Sequence, residues 1–339
     1  MSATHSPTST TSDSTHGDER RVVVLSVVAV AITLVLWASA FVAIRHLADD
    51  FSPGALSLGR LLVASLALAI VALPRGLPRP SLRQWASIVA IGVLWFGVYN
   101  IALNAGEQRV DAGTAAMLIQ LSPILIAVLA ATFLAERFTP ALLAGSLIAF
   151  SGVVVIGLST SIDGSTDGSS DLIGVGLCLI AALSYSISLV LQKPLVASLS
   201  AVQVTWLACT VGAVVCLPWA GDLVTSVREV PASSTWWLVY LGLFPTAVAF
   251  TTYAYALQHM SASSLGVSTY LVPPLTIVMG LVFLGEAPPT IAYLGGALAL
   301  LGVAVARRRP SQRSLPRHDR GGPRENPSPD VEEPAPAPS

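Results

Sequence analysis

Charge is what this sequence has least of. Only 11% of its 339 residues are Asp, Glu, Lys or Arg, where a soluble domain carries about a quarter. A chain this poor in charge cannot cover a water-facing surface, which excludes a soluble globular protein. Acids are missing from one place in particular. All 19 Asp and Glu residues fall in tails, loops or the ends of apolar segments, so no carboxylate is expected at mid-membrane depth. Cysteine is scarce as well. Cys178, Cys209 and Cys216 each sit inside an apolar run and none forms a Cys-x-x-Cys. They read as small packing residues, not as a disulfide or metal site. No His-Glu-x-x-His, Gly-x-Ser-x-Gly or aspartate-rich phosphate motif occurs, so an enzyme is not expected. Asp49-Asp50 reads as solvated loop charge. No catalytic residue, metal site, cofactor or nucleic-acid partner is expected.

What is present is apolar sequence in long runs. The chain is 53% hydrophobic, and a spanning helix needs roughly 20 mostly apolar residues. Ten candidate spans follow: 22–44, 54–73, 85–105, 112–134, 139–158, 172–191, 202–220, 235–257, 262–284 and 290–306. None alternates with the period of a membrane β-barrel. The expected fold class is an all-α polytopic membrane protein with ten transmembrane helices, its partners being the lipid bilayer and a small-molecule substrate. Residues 1–21 and 307–339 cannot bury enough apolar area to order themselves and are expected to be disordered tails. Arg20-Arg21 before an apolar run ending near "ASA" (38–40) imitates a signal peptide. Apolar sequence continues to Ile44, so an uncleaved first helix is expected.

Lys and Arg favour the cytoplasmic face. With the N-terminus inside, ten positive charges border the cytoplasm: Arg20, Arg21, Arg75, Arg79, Arg83, Arg137, Lys193, Arg307, Arg308 and Arg309. Three lie outside: Arg45, Arg109 and Arg228. Both termini are therefore expected in the cytoplasm of a multi-pass protein of the cell (inner) membrane. The linker at 159–171 is then external, and Lys193 and His259 stand at cytoplasmic span ends.

The chain also repeats itself. "LSPILIAVLAATFLAERFTP" begins at Leu121, and "LVPPLTIVMGLVFLGEAPPT" begins at Leu271. Pro123, Glu136, Gly145 and Gly152 recur as Pro273, Glu286, Gly295 and Gly302. An odd number of crossings separates the copies, so the second lies upside down relative to the first. An inverted repeat of five helices, 22–158 and 172–306, is the geometry of alternating access in many secondary transporters. Pro123 and Pro273 favour kinks, which serve as hinges or as packing shapes. Glu136 and Glu286 precede helix starts, where a carboxylate is electrostatically favoured or acts as a gate. Gly145, Ala149 and Gly152, with Gly295, Ala299 and Gly302, form small-residue faces suited to close helix packing, with self-association as the other reading.

These residues, with "LWASAFVAIR" (36–45), "SPGALSLGRLL" (52–62) and the stretches 112–158 and 261–306, resemble the drug/metabolite transporter superfamily in its EamA-type ten-helix branch. The resemblance covers residues 22–306. It implies two EamA repeats in an inner-membrane carrier whose relatives move amino acids, related metabolites, nucleosides or drugs. One departure is Ala135 in "LAER", where the family commonly has glycine. The resemblance also implies that spans one, three, four, six, eight and nine surround the pathway. The polar and aromatic residues on those spans are Trp37, Tyr99, Asn100, Asn104, Gln120, Tyr185, Tyr253 and Tyr270. Each can line a pathway, mark the interface belt or join helices. Gln120, three residues before Pro123, is the leading candidate. Arg60 matches the family's arginine in the second span. It snorkels, caps carbonyls or meets a substrate carboxylate.

The small four-helix multidrug relatives carry a coupling carboxylate in their first helix, where this chain has Trp37 and Ser39. A strongly cationic drug is thereby disfavoured. Glu107, Asp111 and Glu136 remain as coupling groups at the rims. The expected function is export of small neutral or zwitterionic metabolites, amino acids or related compounds, by alternating access. The alternative is a multidrug or nucleoside transporter or facilitator. The oligomeric state is open between monomer and homodimer.

Overall fold

In the computed structural model, the described residues are 11–47, 49–76, 78–107, 118–136, 139–163, 172–279, 282 and 290–306. Among them every regular element is helical. The helices are α1 (Thr11–Leu47), α2 (Pro53–Ala72), α3 (Leu82–Gly106), α4 (Ser122–Phe133), α5 (Pro140–Asp163) and α6 (Leu172–Val196). The second half supplies α7 (Ala201–Val215), α8 (Ala220–Glu229), α9 (Ala232–His259), α10 (Ala262–Ser268), α11 (Val272–Met279) and α12 (Thr290–Ala306). Five of these helices are long and apolar enough to cross a membrane, six if α7 and the helical segment after it form one bent span. Shorter apolar helices fall at the fourth, fifth and tenth expected spans.

Local sequence explains most boundaries. Ser52 caps α2, with Pro53 in the first turn. Ser81 with Gln84, and Ser200 with Gln203, form capping boxes at α3 and α7. Ser261 caps α10.

Three features differ from the sequence reading. α1 begins at Thr11, so part of the segment expected to lack order is helical. The seventh span, expected over 202–220, is interrupted by a 3₁₀ turn (Leu217–Trp219), and the outer loop expected after it forms α8, bent 57° from α7. Pro218 stands at the bend, where its ring and missing N–H prevent α7 from continuing. The third and eighth spans each contain a π-helical stretch, Gly92–Tyr99 and Gly242–Val248. Wide turns of this kind gather at functional sites, and hydrophobic periodicity does not reveal them.

The repeat is visible in how the helices touch. α5 and α12 make the most extensive helix pair. A Cβ on Gly145 would lie 2.5 Å from the Gly302 carbonyl oxygen, and one on Gly302 would lie 2.6 Å from the Gly145 oxygen. Backbone therefore meets backbone, as small-residue faces permit in lipid. The π segment of α3 sits on α7, where a Gly92 Cβ would lie 2.5 Å from Val211 Cβ. The π segment of α9 sits on α2, where a Gly242 Cβ would lie 2.5 Å from Val63 Cβ. α1 packs on α9 as α6 packs on α3, and α4 meets α10.

Candidate functional site

A partly open cavity with about 770 Å³ of empty space, mouth included, lies among α1, α2, α3, α6, α9, the residues just before α4, and the 3₁₀ turn and first residue of α11. Its lining runs from Trp37, Tyr185 and Phe250, midway along their helices, to Ile44 and Asn104 near one end of α1 and α3. Broken helices build part of the wall. The chain turns at Gln120–Leu121 before α4 and makes a 3₁₀ turn at Thr269–Leu271 before α11. Pro123 and Pro273 stand in the first turns of α4 and α11, immediately after these breaks. A missing N–H is harmless there. The two prolines start new helix segments.

Arg60 enters from α2 and is only 6% exposed. Its Nε donates to Thr246 Oγ1 at 3.0 Å, and that hydroxyl donates to the Leu241 carbonyl at 2.8 Å. The second bond satisfies a carbonyl at the α9 π segment. No Asp or Glu is among the described residues that line the cavity.

Three carboxamides share the space. Asn100 Nδ2 donates to the Trp95 and Phe96 carbonyls at 3.2 and 2.9 Å. Asn104 Nδ2 donates to the Pro53 carbonyl at 3.3 Å and to Ser57 Oγ at 3.2 Å. Gln120 Nε2 donates to the Thr269 carbonyl at 3.2 Å. A backbone carbonyl only accepts, so the amide nitrogen must face it and the amide oxygen must turn away.

The cavity floor is aromatic. Tyr185 and Tyr253 hydroxyls meet at 2.6 Å. Trp37 packs on Tyr253 with ring centroids 4.8 Å apart, and Trp95 packs on Tyr185 and Phe250 at 5.0 and 4.9 Å. Below it, Thr33 Oγ1 bonds Thr252 Oγ1 at 2.8 Å and donates to the Ala249 carbonyl at 3.2 Å.

Just beyond α4 a carboxylate ties the chain to the start of α10. Glu136 accepts from the Ala262 and Ser263 amides at 2.7 and 3.1 Å and from Ser263 Oγ at 2.6 Å. A carboxylate here meets the orphan donors and positive end of α10. Lys193 Nζ donates to the Leu257 and Met260 carbonyls beside it. Ala135 holds the turn before Glu136 at φ 52°, a conformation glycine adopts freely and alanine only at a cost. That geometry accounts for the glycine common in relatives at this place.

The structure thus brings together Trp37, Arg60, Tyr99, Asn100, Asn104, Gln120 and Tyr185. Tyr253 lies beneath them as part of the floor. Tyr270 stands apart, packed with Ala127, Leu142, Ala149, Val267 and Val303, its hydroxyl buried and without a hydrogen-bond partner among the described residues. Its position in the 3₁₀ turn aims it at α5 and α12. Glu286 and Asp111, and the side chain of Glu107, lie outside the described residues. Sequence reading missed Trp95, Phe250 and Thr269 in the lining. The recurrence of the glycines at 92 and 242 was the available signal for the first two, since it marks where α3 and α9 approach their neighbours.

A polytopic helical bundle built twice around a cavity with aromatic walls and a few buried polar groups defines a membrane transporter. The EamA-like transporter family matches residues 24–158 and again 172–308, and the chain belongs to that family within the drug/metabolite transporter superfamily. It is 40% identical to a "Probable terminal-alkyne amino-acid exporter" of Streptantibioticus cattleyicolor, over 83% of this chain and 93% of that protein. It is 34% identical to the "Uncharacterized transporter YdfC" of Bacillus subtilis, over 79% of this chain and 86% of that one. A solved crystal structure at 22% identity shares the fold with a TM-score of 0.68, over 83% of this chain and 96% of its own.

Proposed function

We propose that this transporter exports small neutral or zwitterionic metabolites, amino acids or related compounds, by alternating access. One observation carries the reading: the cavity reaches toward Ile44 and Asn104 and stops at the aromatic floor, while the opposite end is clasped by Glu136. A site reachable from one side at a time is what alternating access requires. With both termini cytoplasmic, as the distribution of Lys and Arg favours, Glu136 is an inner gate and the conformation faces outward. Pro123 and Pro273, at the breaks in the fourth and ninth spans, are hinges for closing the outer end.

The cavity chemistry supports the substrate range. Aromatic walls and amide groups, with no acid among the described lining residues, suit an uncharged or zwitterionic solute and give a cationic drug no countercharge there. The 40% identical relative named for amino-acid export points the same way. A nucleoside is the competing cargo, since aromatic faces also stack bases.

The test is efflux from proteoliposomes preloaded with amino acids and nucleosides, with and without an imposed pH gradient. Selective loss of amino acids is expected. Acceleration by the gradient makes the carrier proton-linked, and indifference makes it a facilitator. Loss of nucleosides alone overturns the substrate reading.

A further inference from the structure

We infer that the cavity is a bipolar site for free α-amino acids with uncharged side chains, in which Arg60 takes the substrate carboxylate and the amide oxygens of Asn100, Asn104 and Gln120 take its ammonium. This rests on the transporter reading of the cavity.

The argument starts from unused hydrogen-bonding capacity. A guanidinium has five N–H donors. Among the described residues Arg60 spends one, on Thr246, and has no acidic partner in the cavity. A cation that is 6% exposed without a countercharge is costly. A planar carboxylate on its terminal nitrogens supplies both the charge and a two-point fit.

The amides supply the opposite pole. Each nitrogen is spent on a carbonyl, so three oxygens remain, all on residues that line the cavity. They accept and cannot donate, so they reward an ammonium and offer nothing to a second carboxylate. Asn104 reaches Ser57, one turn from Arg60 on α2, and Asn100 lies one turn from Asn104 on α3. Positive and negative poles are thus about a helical turn apart, beside an aromatic floor for the side chain.

The second half of the chain serves as an internal control. The backbone oxygens of Arg60 and Ala208 occupy equivalent contacts, each 2.8 Å from the Cβ that Gly242 or Gly92 would carry. By the same repeat Asn100, Asn104 and Gln120 correspond to Phe250, Ala254 and Tyr270. The second copy forms the same helix contacts with none of the four polar groups. The second copy packs without them, and ligand binding is the reason assigned to their burial beyond the backbone contacts they make.

The experiment measures binding of L-propargylglycine, its carboxamide and its N-acetyl derivative to the purified full-length protein, by quenching of tryptophan fluorescence. Wild type is expected to prefer the free amino acid over both derivatives by tenfold or more. Arg60→Gln should bring the acid-to-carboxamide ratio near one and leave the free-amine to N-acetyl preference. Asn104→Leu should do the reverse. A merely structural role would weaken all three ligands together. Phenylglyoxal modification of wild-type Arg60, read by peptide mass, needs no variant: the free amino acid should protect and the carboxamide should not. Equal protection, or an unchanged acid-to-carboxamide ratio in Arg60→Gln, overturns the inference even when the liposomes export the amino acid. If the liposomes export nucleosides alone and none of the three probes binds, the inference falls together with the substrate reading.

Discussion

The two halves of this molecule agree in their packing and disagree in their polarity. Gly145 and Gly302 meet backbone to backbone, and Gly92 on Val211 mirrors Gly242 on Val63. Both copies break their helices before Pro123 and Pro273. Yet Arg60, Asn100, Asn104 and Gln120 belong to the first half, and their counterparts are Ala208, Phe250, Ala254 and Tyr270. Duplication preserved what lets helices approach. The four polar groups belong to one copy, while Phe250, the counterpart of Asn100, lines the same cavity as an apolar wall.

The largest effect should come from breaking the shared packing. Gly302→Leu forces a side chain into the α5 backbone and should cost roughly 3 kcal/mol or more, since overpacking alone costs about 1–3 kcal/mol and the obstacle here is main chain. The equivalent Gly152→Leu, whose Cβ would lie 2.5 Å from the Gly295 oxygen, should lower the unfolding temperature in detergent by a similar amount. A large inequality between the two would break the symmetry.

Next comes the unequal pair. Gln120→Leu removes a cavity acceptor and should reduce amino-acid efflux about tenfold, a loss of about 1.4 kcal/mol. Its counterpart Tyr270→Phe should leave efflux unchanged. That variant deletes a buried hydroxyl without a partner among the described residues, so its stability should hold or rise by up to about 1 kcal/mol. Equal losses of efflux would sink the assignment of polarity to one half.

The closed end offers two smaller tests. Glu136→Gln weakens a charge-assisted clasp, where such hydrogen bonds contribute about 1.5–3 kcal/mol each when fully made. Glu136 is half-buried, so roughly 1–2 kcal/mol is expected, read as faster hydrogen exchange at Ala262 and Ser263. Ala135→Gly relieves the positive φ and should stabilise the same turn by about 1 kcal/mol. If Ala135→Gly instead speeds exchange at α10, the turn is not what holds the gate.

Much of this was legible in the residues. Length of apolar run gave the spans, and the recurring Pro–Glu–Gly pattern revealed the repeat, because membrane thickness and helix packing act locally along the chain. Part of the cavity was legible too: Trp37, Arg60, Tyr99, Asn100, Asn104, Gln120 and Tyr185 are costly residues to place in a membrane, and cost marks function. Tyr270 shows the limit. By type and depth it resembles the others, yet it points into the α4–α5–α12 contact. Trp95 and Phe250 were hidden for the opposite reason, since an aromatic residue in an apolar run looks like lipid-facing surface.

Sequence alone thus determined that the chain is a membrane protein, that it is built twice, and that its interior carries a lone cation and several amides. Which way those amides turn was decided only in three dimensions. Each nitrogen is claimed by a backbone carbonyl, at the α3 π turn, at the start of α2 or in the 3₁₀ turn before α11, which leaves the amide oxygen without that role. Tertiary structure also decided that Glu136 caps a helix far along the chain. A hydrogen bond between distant residues depends on how the helices are packed, and local periodicity carries no record of it.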